Sequence, residues 1–220
     1  MTESEAEGNS TDRNVFVFLI LAALFVLKRR QVSWLALISN NRWLFILYVY
    51  LGVSVLWSDY PFVSFTRWFK EFGNVVMVFL ILTERDPVKA VTAVFARTAY
   101  LLIPLSVLFI KYYPDLGRSF SRWTGEVFYH GAALGKNELG GTLLVLTIFL
   151  IWELLQMKRK RLWRGHKTEI LGRLVLLIMA IWLFHMAKSA TSLACAVVGS
   201  IALFALNTEF AYKRRRTLLP

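Results

Sequence analysis

Charge is almost missing from seven long stretches of this chain, and that decides what it can fold into. The stretches are 15–27, 43–57, 65–82, 91–110, 139–155, 170–186 and 193–206. The third is cleanly apolar only from 73 onward, and an amphipathic segment over 65–72 extends it. A helix needs roughly 20 apolar residues to cross about 30 Å of hydrocarbon. Several stretches fall short of that length, and flanking aromatics with snorkelling Lys or Arg side chains make up the difference. Composition agrees. The chain is 57% hydrophobic and 18% charged, with a mean hydropathy of +0.53, where a soluble domain is about half apolar and a quarter charged. The expected fold is an all-α integral membrane protein with about seven transmembrane helices over 15–206. An acidic tail, 1–14, is expected to be disordered, and 207–220 reads as a basic cytoplasmic tail.

The basic residues predict an orientation. With the N-terminus outside and the spans alternating, the inside segments 28–42, 83–89, 156–169 and 207–220 hold 16 Lys and Arg. The outside segments 1–14, 58–72, 111–138 and 187–192 hold 8, a bias that follows the positive-inside rule. The densest run, Lys158-Arg159-Lys160-Arg161, is assigned to the cytoplasm, where it also meets anionic head groups. Segment 111–138 then lies on the outer face.

That outer segment leads into the chain's most unusual polar stretch, 117–141. It holds Arg118, Arg122, His130, Lys136, Asn137 and six of the twelve glycines. Long glycine-rich loops with convergent charge are more often functional than structural. A guanidinium offers a fork of donors to phosphate oxygens and an ammonium offers a point charge. Arg118, Arg122 and Lys136 at a membrane surface therefore suit an anionic, lipid-linked ligand, with plain contact to lipid phosphates as the alternative. Lys136 and Asn137 immediately precede the fifth stretch, so they sit near a helix N-terminus, where free N–H groups and the dipole favour an anion. Histidine titrates near neutrality, which makes His130 a candidate general base, although a lone loop histidine is more often only solvated.

Other cations are read along the spans. His185 and Lys188 end the sixth stretch, ahead of Ser189-Ala190-Thr191-Ser192, whose small residues suit close helix packing. Lys188 is a candidate for the same outer cavity, or a snorkelling cation. Arg67 and Lys70 lie on the outer amphipathic segment, where Arg67 can reach the level of lipid phosphates. Arg97 stands close to the cytoplasmic end of the fourth stretch, which favours snorkelling, and Pro104 predicts a kink there.

Several classes of function are excluded. The net charge of +12 invites nucleic acid, but the basic residues flank apolar runs and form no stripe interleaved with aromatics. The single cysteine, Cys195, rules out an intramolecular disulfide and a cysteine metal site. No metal or cofactor is expected. Gly135-Lys136-Asn137 lacks the leading glycine spacing and the following Ser or Thr of a nucleotide loop, and it faces away from ATP. No hydrolase triad and no internal repeat stand out. Glu3, Glu5, Glu7 and Asp12 occupy the place of a basic leader region, so no cleaved signal peptide is expected.

Three motifs in order give the chain a resemblance to the O-antigen ligase and exopolysaccharide polymerase family. The first is Trp57-Ser58-Asp59-Tyr60-Pro61 followed by Phe65-Thr66-Arg67. The second is Arg122-Trp123-Thr124-Gly125 leading to Gly131, then Lys136-Asn137-Glu138-Leu139-Gly140. The third is Ala187-Lys188-Ser189-Ala190-Thr191-Ser192. The resemblance covers roughly 40–206. It implies a GT-C-like polytopic bundle in the bacterial inner membrane. The activity it implies is transfer of a glycan from a polyprenyl-diphosphate carrier to an acceptor hydroxyl at the outer face. Basic residues would neutralise the diphosphate leaving group without a required metal. Carried over residue by residue, it points to Arg122 and Lys136 for diphosphate contact, with Arg118 and Arg67 next. Asn137, Gly125 and Gly140 become orienting residues.

The family is about twice this long, and its second half carries further spans and a large outer loop with the expected catalytic histidine. His130 is not in that histidine's place. The chain resembles the front half of such an enzyme, which implies either a second polypeptide supplying the rest or a truncated, non-catalytic remnant. A transporter or flippase of lipid-linked sugars is the alternative from another class, although inverted repeats and broken spans are not evident.

Overall fold

The computed structural model describes residues 10–30, 35, 38–39, 41–120, 125–159 and 166–207. Arg122, Lys160, Arg161 and most of the two terminal tails lie outside the described residues. Each of the seven apolar stretches is helical, the second finishing in a 3-10 turn, and the helices extend into polar residues at one or both ends. The reason is local. A helix end that water or a cap can satisfy need not stop where the apolar run stops.

The chain divides into two compact units, one reaching Val91 and the other beginning at Thr92. The first holds helix α1 (Ser10–Arg29), helix α2 (Arg42–Val53), a 3-10 turn (Ser54–Trp57) and helix α3 (Pro61–Leu82). The motif Trp57-Ser58-Asp59-Tyr60-Pro61 is the turn between α2 and α3. The Ser58 hydroxyl accepts from the Tyr60 N–H at 3.2 Å and lies 2.6 Å from the Ser64 hydroxyl. Pro61 then opens α3, where its missing N–H costs nothing. The Tyr48 hydroxyl donates to the Trp68 carbonyl at 3.0 Å, and the Trp68 indole N–H donates to the Tyr48 carbonyl at 3.2 Å. This reciprocal pair holds α2 against the antiparallel α3.

Helices α1 and α3 run in the same direction. Phe16 and Ile20 cover Gly73 early in the contact, where a side chain at Gly73 would clash with both. At the far ends, Arg30 donates to the Leu80 carbonyl at 2.9 Å and pairs with Glu84. Ala23, Leu27 and Val76 form the small core between them.

The second unit contains most of helix α4 (Pro87–Tyr112), the short helix α5 (Pro114–Gly117) and strands β1 (Arg118–Phe120) and β2 (Val127–Tyr129). Helices α6 (Lys136–Arg159), α7 (Lys167–Ala187) and α8 (Ala190–Leu206) complete it. The fold is mainly helical, as expected for an all-α protein, with one small addition in the polar loop: two three-residue strands pair as an antiparallel hairpin, Arg118 with Tyr129 and Phe120 with Val127. Buried Leu139, Leu143, Leu146 and Leu150 recur every three or four residues along α6 and form one packing stripe. It meets Leu176, Ala180, Leu183 and Phe184 of α7 and Ile103 and Ile110 of α4 in a single core.

Helices α4, α6 and α7 are long and apolar enough to cross a membrane, while Arg42–Trp57 and α8 are shorter apolar helices. Pro104 lies inside α4, which continues through it.

Candidate functional site

The polar loop is closed on itself through one carbonyl at the end of α5 and fastened to α4 by Arg118. The Gly117 oxygen accepts from the N–H groups of His130 and Gly131, at 3.0 and 3.1 Å. Arg118 extends the tie: its Nε and Nη2 donate to the Ile110 carbonyl at 3.0 and 2.7 Å, one of the carbonyls that the helix end leaves without a partner. The same guanidinium lies 5.5 Å from the Tyr129 ring, its cross-strand neighbour. Arg118 therefore spends much of its donor fork inside the protein, holding the hairpin on α4.

Gly131 adopts φ +58, and a Cβ there would sit 2.7 Å from the Ser106 Cβ. Only glycine allows the turn to press on α4 in that conformation. The buried Ser106 hydroxyl accepts from the Ala132 N–H at 3.2 Å. His130 Nδ1 lies 2.7 Å from the Ala133 carbonyl. A carbonyl only accepts, so Nδ1 carries the proton and, in the neutral ring, Nε2 is left as an acceptor.

Lys136 opens α6 and is half-buried, with its Nζ 4.3 Å from the Phe128 ring of β2. The hairpin thus holds the ammonium by its aromatic face, a contact that leaves its hydrogen-bond donors free for another partner. Asn137 is exposed on the first turn. The side chain that caps this helix is Glu138, whose Oε2 accepts from the Leu134 N–H at 3.2 Å. Sequence reasoning passed over Glu138, although a carboxylate at the third helical position is the usual partner in a capping box.

The second and third motifs meet at this end of the unit. A Cβ on Gly140 would stand 2.7 Å from the Ser192 hydroxyl and 2.9 Å from the Ser189 Cβ. The Ser189 hydroxyl donates to that of Ser192 at 3.0 Å. Lys188, at the end of α7, is exposed and holds φ +48, the one non-glycine residue with positive φ among the described residues. That left-handed residue turns the chain so that α8 begins beside the start of α6. Two helix N-termini and the cations Lys136 and Lys188 belong to the segments joined there.

Gly125 has φ +68 with open space around its α-carbon. Arg67 is exposed on α3 of the first unit.

A second polar group is buried between α6 and α7. Arg173 donates from Nε to Glu153 Oε2 at 2.8 Å and from Nη2 to Oε1 at 2.6 Å, with both side chains about one-tenth exposed. Its Nη1 donates to the Glu169 carbonyl at 3.0 Å. The signal lay in the sequence: Glu153 and Arg173 stand equally far from the middle of the connection between their helices, and antiparallel packing pairs them. Among the described residues, no cluster of three or more His, Cys, Asp or Glu could hold a metal ion.

Comparison with protein-family models, with curated proteins and with solved structures finds no match. The family resemblance therefore rests on the sequence motifs and on nothing wider.

Proposed function

We propose that this chain takes part in transferring a glycan from a polyprenyl-diphosphate carrier to an acceptor hydroxyl, as in O-antigen ligation or exopolysaccharide polymerisation, at the outer face of a bacterial inner membrane. One observation carries the reading: the Lys-Asn-Glu-Leu-Gly and Lys-Ser-Ala-Thr-Ser motifs, far apart in sequence, touch at Gly140, Ser189 and Ser192. In the proposed step the hydroxyl oxygen bonds to the anomeric carbon while the carbon–oxygen bond to diphosphate breaks. The electron pair leaves on the polyprenyl diphosphate, and the hydroxyl proton goes to a base.

Charge grows on the diphosphate as the bond breaks. Lys136, Lys188 and two helix N-termini at one end of the unit suit that developing charge. Arg122 remains assigned to diphosphate contact by the resemblance. His130, with Nε2 free to accept, is the base candidate within this chain.

The test is Lys136→Ala in cells that make the polysaccharide. Transfer is expected to fall about 100-fold, the scale for losing one group that stabilises transition-state charge, with the lipid-linked glycan accumulating in the outer leaflet. Undiminished transfer at normal protein level would sink the assignment. Accumulation in the cytoplasmic leaflet would identify a flippase instead.

A further inference from the structure

Among the described residues of the loop between α4 and α6, several polar groups are satisfied inside the protein: Arg118 onto Ile110, Gly117 onto His130 and Gly131, His130 onto Ala133, and Ala132 onto Ser106. A set of large apolar side chains, from the end of α4 through the loop, turns outward beside them. Tyr112, Tyr113, Leu116, Phe120 and Leu134 are all more than half exposed, Phe120 at 70% and Leu134 at 93%. A solvent-facing loop has no reason to satisfy its polar groups internally and leave these five bare.

The helices on either side, α4 and α6, are long and apolar enough to cross a membrane. The loop that joins their ends is therefore within a few residues of the bilayer surface. Lys111 sits beside the rim, its Nζ 5.4 Å from the Tyr112 ring. A cation paired with an aromatic at a helix end is the arrangement that meets lipid phosphate above and acyl chain below. We infer that Tyr112, Tyr113, Leu116, Phe120 and Leu134 seat this loop in the boundary between head groups and acyl chains, so that the hairpin is a membrane-docked platform and not a free loop. The inference does not depend on the glycan-transfer reading, since the side chains that carry it are apolar.

A nitroxide-quenching experiment on the full chain in phosphatidylcholine–phosphatidylglycerol vesicles tests it. In a Cys195→Ser background, Leu134→Cys and, separately, Phe120→Cys are labelled with an environment-sensitive fluorophore. Glu126→Cys, on the exposed polar part of the same loop, is the water-facing reference. Both rim labels are expected to emit to the blue of the Glu126 label. They should lose intensity to a lipid bearing its nitroxide high on the acyl chain and resist quenching by iodide.

Rim labels as open to iodide as the reference, with no nitroxide quenching, would overturn the inference. Protection from iodide without nitroxide quenching would also overturn it, because the cover would then be protein, such as a second copy. Two positions on separate stretches guard against local misfolding of either variant.

Discussion

Lys188 is the most telling single residue. It holds φ +48 and ψ 32 at the end of α7, a conformation that costs a residue with a side chain about 1 kcal/mol and costs glycine almost nothing. Glycine is the common residue at such a helix end. A lysine kept there against that preference points to work for its ammonium. Lys188→Gly is therefore expected to stabilise the protein by about 1 kcal/mol, seen as a higher midpoint in thermal unfolding in detergent, while lowering glycan transfer. A more stable variant with full transfer would leave Lys188 as a turn residue alone. Arg118 shows the opposite case. Its charge is conspicuous in the sequence, yet two of its donors are spent on the Ile110 carbonyl.

At the scale of helices, two features set starts and pairings. Asp86 caps α4: its Oδ1 accepts from the Lys89 N–H at 3.1 Å, and its Oδ2 lies 3.1 Å from the Lys89 ammonium. The backbone donor first, and the ammonium second, hold the Asp86 carboxyl below its ordinary range. A lowered folded-state value means the cap's contribution is complete above the ordinary aspartate pKa, about 3.9, and is lost as pH falls through the lower folded value. Carbon-detected NMR should find the Asp86 midpoint below that of a free aspartate, and Lys89→Met should restore only the smaller part. An unshifted midpoint would remove the cap.

The Glu153–Arg173 pair fastens α6 to α7. Removing one partner from a buried pair costs about 3 kcal/mol, whereas replacing both by apolar residues is often neutral. Glu153→Leu or Arg173→Met alone should lower the unfolding midpoint in detergent, and the double variant should regain most of the loss. Additive losses would mean the two groups are not coupled.

These elements also separate what was legible from what was not. The seven apolar runs announced their helices because long stretches with few charges and few breakers favour helix, and three of these helices are long and apolar enough to cross a membrane. The hairpin at Arg118–Phe120 and Val127–Tyr129 did not, since three-residue strands carry too little alternation to register. Nor did the meeting of Gly140 with Ser189 and Ser192, because which small residues of two apolar helices touch depends on packing, which hydropathy does not encode.

For the molecule as a whole, helix direction alternates along the chain within each unit. Antiparallel α2 and α3, with α1 parallel to α3, make one alternating set. In the other, Phe95 of α4 stacks on Phe149 of α6 while Gly131, just before α6, meets Ser106 near the end of α4. The buried pair sets α6 against α7, and contacts of Gly140 with Ser192 and of Gly199 with Ile148 make α8 parallel to α6. Alternation within each unit is compatible with a chain threaded repeatedly through a bilayer, and the excess of 16 Lys and Arg over 8 gives an expected orientation that labelling can test. The sharpest test isolates one crossing. Glu126 precedes α6 and Lys158 stands in its last turn, so the apolar length of α6 is the one span between them. In a Cys195→Ser background, Glu126→Cys should react with an impermeant maleimide on intact spheroplasts, and Lys158→Cys only after lysis. Reversed labelling would invert the orientation and put Lys136 and the hairpin in the cytoplasm, away from any outer-face chemistry. Labelling of both from one side would mean that α6 does not cross, and would undo the membrane reading at its longest buried apolar stripe.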